Sequence, residues 1–290
     1  MSHRSEGKLR WTESIRSSPP PADGEWLASQ PILAYGVRIG IRTNKPRFLK
    51  RILDHAPPLW KPAGGAFVER QFSFRVGRLA PEGALAHSLL DDCEAGTESN
   101  NLDEILDTFE RRVKMHVAEM APRRVFIHAA AVAWHGKAII VPGRTMSGKT
   151  SLAAELVRAG ATYYSDEYAV LDRHGRVHPY PSPLAIRREG SNKQERRPVD
   201  QIGGEAGTRP LTVGLVVVTR YKAGASWRPV QLSPGPAALE LLANTIPARR
   251  RPEVVIPTLQ RVVVDASCLK GVRGEARKTA RRILERMLPE

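Results

Sequence analysis

The chain has 290 residues, 41% hydrophobic and 26% charged, ordinary values for a globular protein with one large or two modest units. No apolar run approaches the roughly 20 residues that cross a bilayer, and the polar start (MSHRSEGKLRW) lacks a signal core, so a cytoplasmic location and no membrane partner are expected. Two cysteines, Cys93 and Cys268, offer neither a disulfide framework nor a zinc site, and the net charge of +15 comes without any zinc-finger or recognition-helix pattern. That charge, denser at Arg249–Arg251 and after Lys270, reads as a solvated basic surface, and nucleic acid is not expected as a partner.

Residues 1–31 are polar, carry Ser18-Pro-Pro-Pro-Ala22, and predict a mobile N-terminal segment. From Ile32 the pattern becomes regular. Val37, Ile39 and Ile41 alternate with Arg38 and Arg42, the period of a half-buried strand. Phe48, Leu49, Ile52 and Leu53 suit one face of a short helix between Pro46 and Pro57-Pro58, and Phe72, Phe74 and Val76 alternate as a second strand. Residues 81–100 read as a variable loop. Asn101–Met120 predicts a helix with the stripe Leu102, Ile105, Phe109, Val113 and Val117; Asn101 is its cap, Glu104 stands three residues on, and Pro122 closes it. Residues 32–121 thus form a small α+β N-terminal domain.

After Pro122 the texture changes. Val125–Trp134 predicts a long strand, His135-Gly136 a two-residue turn, and Lys137–Val141 the returning strand. A helix is expected from Lys149 to Arg158, stopped by Gly160. Tyr163–Leu171 reads as a strand, Arg173–Arg176 as a turn, and Val177–Tyr180 as the return. Leu211–Thr219 and Arg261–Val264 read as buried strands, Pro236–Thr245 and Glu275–Met287 as helices. Tyr163, Tyr164 and Tyr168 read as sheet packing, His174 and His178 as solvated residues beside a turn, Arg187 as surface charge, and Asn244 has no assignable role.

Between the hairpin and the helix stands the chemistry. Gly143, Gly148, Lys149 and Thr150 fit G-x-x-x-x-G-K-[ST] at every fixed position, with a strand before and a helix after. Glycines let backbone N–H groups turn toward phosphates, and the helix start points its positive end at the same anion. Lys149 is suited to the β and γ phosphates and Thr150 to Mg²⁺, with Arg144, Ser147 and Ser151 in the same nucleotide-binding loop. The strand entering the loop is the second arm of a tight hairpin, so its local pairing is antiparallel. One short helix separates the loop from Ser165-Asp166-Glu167, which places an acidic pair beside it. A carboxylate near a γ-phosphate can accept a hydroxyl proton, and a second provides hard oxygen for Mg²⁺. On these grounds Asp166 and Glu167 can divide the two roles in either order.

Phe126-Ile-His128, Pro142–Thr150 and Ser165-Asp166-Glu167, in that order, resemble the kinase domain of HPr kinase/phosphorylase and its HPr-kinase-related relatives. The resemblance covers about 60 residues, Val125 to Arg187. It implies an α/β (α+β) P-loop core shared with phosphoenolpyruvate carboxykinases, here residues 122–290. It also implies a catalytic set of Asp166 as base, His128 beside it as tuner and Lys149 on the phosphates, with Thr150 and Glu167 holding the metal. A His128 lying against Asp166 would make transfer rise with pH through roughly 6 to 7, where an unperturbed histidine titrates. The family's Asp-Asp pair is Asp-Glu here, and its Glu-x-Arg-Gly-x-Gly stretch is only weakly represented by Ala185–Gly190, so neither the reverse reaction nor recognition of HPr is implied. The expectation is an ATP- and Mg²⁺-dependent kinase of a Ser or Thr hydroxyl on a peptide or protein, with room for a homo-oligomer. The alternatives are a small-molecule kinase and a non-catalytic nucleotide-gated binding protein.

Overall fold

The computed structural model describes residues 26–65, 67–79, 85–144, 147–187 and 194–287. The stretch up to residue 25, Thr145-Met146 of the phosphate loop, Arg188–Gly190 and the side chain of Arg187 lie outside them. The protein is mixed α/β, built on two principal sheets.

The first unit contains β1 (Ala28–Ser29), β2 (Ile32–Ala34), β3 (Val37–Thr43), α1 (Leu49–Leu53), β4 (Lys61–Pro62), β5 (Arg70–Leu79), β6 (Leu85–Asp91), β7 (Thr97–Ser99) and α2 (Leu102–Met120). Its sheet runs β4-β2-β3-β5-β6-β7, with β1 also on β3. Tyr35 and Gly36, both at positive φ (50° and 92°), turn β2 into β3, as a two-residue hairpin requires. Regular pairing begins before Ile32: Leu27 N–H donates to the Thr43 carbonyl at 3.0 Å, and Arg42 lies over the Trp26 ring. The loop expected over 81–100 is instead largely β6 and β7 in its described part. Ser88 and Leu89 are buried there while their neighbours are polar or half-exposed, too short an alternation to stand out from sequence. In α2 the predicted stripe is buried from Ile105 to Val117, with Leu102 only partly covered, and Asn101 caps the helix by accepting the Asp103 N–H at 2.9 Å. Glu104 bonds Ser99 rather than closing back on the cap.

The second unit contains β8 (Val125–Trp134), β9 (Lys137–Pro142), α3 (Lys149–Arg158), β10 (Thr162–Ser165), β11 (Tyr168–Leu171), β12 (Arg176–His178), β13 (Leu184–Arg187), β14 (Gln194–Arg197), β15 (Leu211–Tyr221), β16 (Val230–Gln231), α4 (Pro234–Leu242), α5 (Pro252–Asp265), β17 (Ser267–Arg273) and α6 (Ala276–Glu285). His135 and Gly136, again both at positive φ, form the expected hairpin. Beyond it, β9 pairs in parallel with β15, and β15 in parallel with β17. Because β9 contacts both β8 and β15, the strands β8-β11-β12-β15-β9 close into a ring.

Two expectations fail here. Arg261–Val264 belongs to α5, not to a strand; the β-branched run Val262–Val264 imitates one. The helical period is visible only when Val255, Leu259, Val262 and Val263 are taken together, all buried. Tyr163–Leu171 is two strands rather than one. Ser165 Oγ accepts the N–H groups of Glu167 and Tyr168 at 3.1 and 2.9 Å, which lifts Asp166 and Glu167 out of the ladder.

β8 divides the interior. Its residues Val125, Ile127, Ala129, Ala131 and Ala133 all enter one core with α4 and α5. On the opposite face Phe126 packs with the first unit's core, whereas Ala130 and Val132 pack with α3 and α6. His128 stands between them on that face, at a seam between two cores. Tyr35, Phe126, Tyr168 and Tyr180 seal the first side of the seam with mostly edge-to-face contacts, worth about 0.5–1.5 kcal/mol per pair. The first unit is therefore fixed to the second by a shared core, with His128, a candidate site residue, at the seam. No helix among the described residues is long and apolar enough to cross a membrane.

Candidate functional site

The phosphate loop leaves β9 at its carboxyl end. Gly143 N–H donates to the His128 carbonyl at 3.2 Å, which ties the loop's root to β8. A Cβ on Gly143 would stand 2.7 Å from Ser147 Oγ, and one on Gly148 would stand 2.3 Å from an Arg273 nitrogen. Gly148 has φ 84°, and this left-handed backbone conformation is what favours glycine there. The Ser147 hydroxyl is buried without a partner among the described residues. Lys149 is 7% exposed and its Nζ reaches back to the Arg144 carbonyl at 2.8 Å. Burial pulls the Lys149 ammonium down to about 8, against the opposing pull of Asp166 and Glu167.

A cavity of about 770 Å³ opens in front of the loop. Gly148, Lys149, Thr150, Ser151, Asp166, Glu167 and His128 all line it. Gly143, Arg144 and Ser147 are not part of that lining. Thr150 Oγ1 donates to Asp166 Oδ2 at 2.8 Å, which joins the loop directly to the acidic pair. Asp166 is buried and its other oxygen is held by the Tyr163 hydroxyl at 2.7 Å. Burial raises the Asp166 carboxyl above the ordinary carboxylate range, only partly offset by Tyr163 and Thr150.

Glu167 faces the first unit. Lys114 of α2 donates to it at 2.6 Å and to Glu110 at 2.8 Å. Burial raises the Glu167 carboxyl too, and Lys114 opposes the shift. Glu110 further binds His55 at 2.9 Å and Arg196 from β14. His55, Asp107 and Glu110 lie close enough to share an ion, but Glu110 already has three basic partners.

His128 departs from expectation. Its ring makes no hydrogen bond among the described residues, and the aromatic neighbour is Tyr168, with centroids 6.1 Å apart. Burial and the Lys149 charge lower its imidazole to about 4. It is neutral across the physiological range, so a transfer rate governed by its titration between pH 6 and 7 is not expected. Its strand is pinned by a 2.8 Å bond from the His128 N–H to the Asn244 carbonyl, the contribution of a residue that had no assignable role. His178, expected to be solvated, instead shares Asp172 with Arg176.

Four contributors were not singled out from sequence. Tyr163 read as sheet packing, yet its hydroxyl orients Asp166. Lys114 and Glu110 form an i,i+4 pair beside an apolar stripe, a signal that equally describes a solvated helix face. Arg273, 2% exposed, donates to the Gly148 carbonyl at 2.9 Å, and nothing in its neighbourhood in the chain indicates that contact. No family model matches the chain, and no curated protein matches it.

The Thr150 hydroxyl and the Asp166 and Glu167 carboxylates line one cavity, an oxygen set that suits Mg²⁺, which favours hard ligands. Thr150 and Glu167, with Asp166 beside them, are the residues that would hold it.

Proposed function

We propose that the protein is a kinase that transfers the γ-phosphate of ATP to a Ser or Thr hydroxyl of a peptide or protein. The observation that carries this reading is the Thr150–Asp166 hydrogen bond at 2.8 Å, which couples a phosphate-loop hydroxyl to a buried carboxylate inside one cavity. The resemblance to HPr-kinase-related enzymes supports the same assignment.

In this reading the loop's N–H groups and Lys149 hold the β and γ phosphates. Thr150 and Glu167 would hold Mg²⁺, which would supply charge neutralisation on the phosphates. Asp166, its proton affinity raised by burial, accepts the proton of the attacking hydroxyl as the new O–P bond forms and ADP departs with the bridging oxygen. Tyr163 fixes the carboxylate's direction. Neutral His128 adds no positive charge beside the base, so the carboxylate keeps its basicity.

The same hydrogen bond favours a second division of labour. A carboxylate bonded to the metal-binding threonine is well placed for the metal, which would leave Glu167, on the open side toward α2, as the base.

Transfer from γ-labelled ATP to peptide and protein pools tests both. Asp166→Asn should retain nucleotide binding and lose about 10²-fold or more in transfer. If that variant instead needs far more Mg²⁺, while Glu167→Gln loses transfer at unchanged Mg²⁺ dependence, the roles are exchanged. Bound ATP with no transfer to any peptide, protein or small alcohol would contradict the kinase reading and favour a nucleotide-gated binding module.

A further inference from the structure

The strands β9, β15 and β17 run parallel, and the ends of β15 and β17 line the same cavity as Gly148–Ser151, which follow β9 through the glycine loop. β9 leads into the phosphate loop; β15 ends at Tyr221 and β17 at Arg273, which are register partners. Ligands of open α/β sheets gather at such ends. The Arg273 guanidinium is enclosed: Nη1 donates to the Gly274 carbonyl at 3.0 Å and Nη2 to the Gly148 carbonyl at 2.9 Å, while Nε is buried with no partner. No carboxylate among the described residues forms an ion pair with it. A buried charge without a counter-ion is strongly unfavourable, and two carbonyl dipoles compensate it only in part. Glu275 acts on the guanidinium through space without pairing with it, and burial still prevails over that pull. An anion in the cavity would complete the compensation, and Gly148 of the glycine loop lies directly against this side chain.

The neighbours of Arg273 add shape to that charge. The guanidinium lies 5.4 Å from the Tyr221 ring centroid, and Tyr221 is 47% exposed, so part of the aromatic surface is open. Its hydroxyl donates to Glu275 Oε1 at 3.1 Å. Tyr221, Arg273 and Glu275 line the same cavity as Thr150 and Ser151, and the Arg273 guanidinium bonds the Gly148 carbonyl beside them. A triphosphate whose terminal phosphate lies toward Asp166 would run its other end into this corner.

We propose that Arg273 is the counter-charge of the nucleotide's phosphate chain and that Tyr221 and Glu275 form the subsite for its nucleoside. The base stacks on the Tyr221 ring, and the Glu275 carboxylate accepts from a ribose hydroxyl. This rests on the reading of Gly143–Thr150 as a nucleotide loop.

Calorimetry with Mg–ATP and with Mg–tripolyphosphate separates the two ideas, since tripolyphosphate has phosphates and no nucleoside. Wild-type protein should bind ATP about tenfold more tightly than tripolyphosphate, a factor typical of one stacked base. Tyr221→Ala should lower ATP affinity by about that factor and leave tripolyphosphate within about twofold. Arg273→Met should weaken both ligands about tenfold or more, and Arg273→Lys, which keeps the charge, should recover most of the loss. Circular dichroism of each variant establishes that it is folded. If both ligands bind wild type in a Lys149-dependent manner, yet Tyr221→Ala and Arg273→Met match it, the proposal is overturned and the loop reading stands. No recovery in Arg273→Lys would reduce Arg273 to loop support. If wild type binds neither ligand, the loop reading fails and this proposal fails with it.

Discussion

Arg70 and Arg273 are both buried arginines, and they occupy opposite electrostatic situations. Arg70 makes a two-pronged contact with Asp91 at 2.9 and 2.6 Å and a third with Glu94 at 2.7 Å; Arg112 shares the same two acids. Burial pulls the Arg70 pKa down, but Asp91 and Glu94 outweigh it and hold the group above its ordinary value. Arg273 bonds two carbonyl oxygens, lies against the Tyr221 ring and forms no ion pair among the described residues; burial draws its pKa below the ordinary arginine value, with Tyr221 and Glu275 opposing. Two cations balanced by two acids make a closed structural network on the first sheet. A buried cation left without an ion pair, next to a glycine loop, is the setting from which the anion site is inferred; burial of charge alone, as at Arg70, does not mark one.

The largest effect should come from breaking the closed network. Asp91→Ala leaves Arg70 and Arg112 with only the half-exposed Glu94 between them and should destabilise the fold by about 3–5 kcal/mol in urea unfolding. Nucleotide affinity of the folded fraction should be unchanged. Arg273→Met should do the reverse, leaving stability unchanged or slightly raised while nucleotide affinity falls. Loss of stability in Arg273→Met comparable to that in Asp91→Ala would erase the distinction.

Lys149 sharpens the comparison through pH. Its ammonium titrates near 8 in the free protein, and bound phosphates favour the charged form. ATP affinity should therefore be full below pH 8 and fall as pH rises through it, because binding must then take up a proton. The slope approaches about tenfold per pH unit until the raised pKa of the complex is reached. Titrations at pH 7, 8, 9 and 10 should show that decline in wild type and its disappearance in Lys149→Met. The smallest effect is a control outside the cavity: Asn101→Ala removes the α2 cap and should cost about 1 kcal/mol of stability with ATP affinity unchanged.

Much of the site's frame was legible because local chemistry specifies it. Positive φ at His135-Gly136 and Gly148, the stripe of α2, and the strand–loop–helix setting of Lys149 follow from residue types at short spacing. The strand error over Arg261–Val264 arose because three successive valines satisfy a buried-strand pattern and a helix face equally. The break at Asp166-Glu167 depends on one serine hydroxyl capturing two N–H groups, a local bond that competes with the ladder and leaves no periodic trace. Lys114 and Arg273 were illegible for another reason. Each reaches the site across the fold, 53 residues from Glu167 and 125 from Gly148, so only the packing of units reveals the contact.

Every functional assignment depends on the loop holding a triphosphate. Calorimetric titration of Mg–ATP into wild type and Lys149→Met at pH 7 tests this most directly. The account predicts one-to-one binding by wild type and its loss, or a fall of at least about tenfold, in the variant. Equal affinity in the two proteins, or no binding by folded wild type, would contradict it.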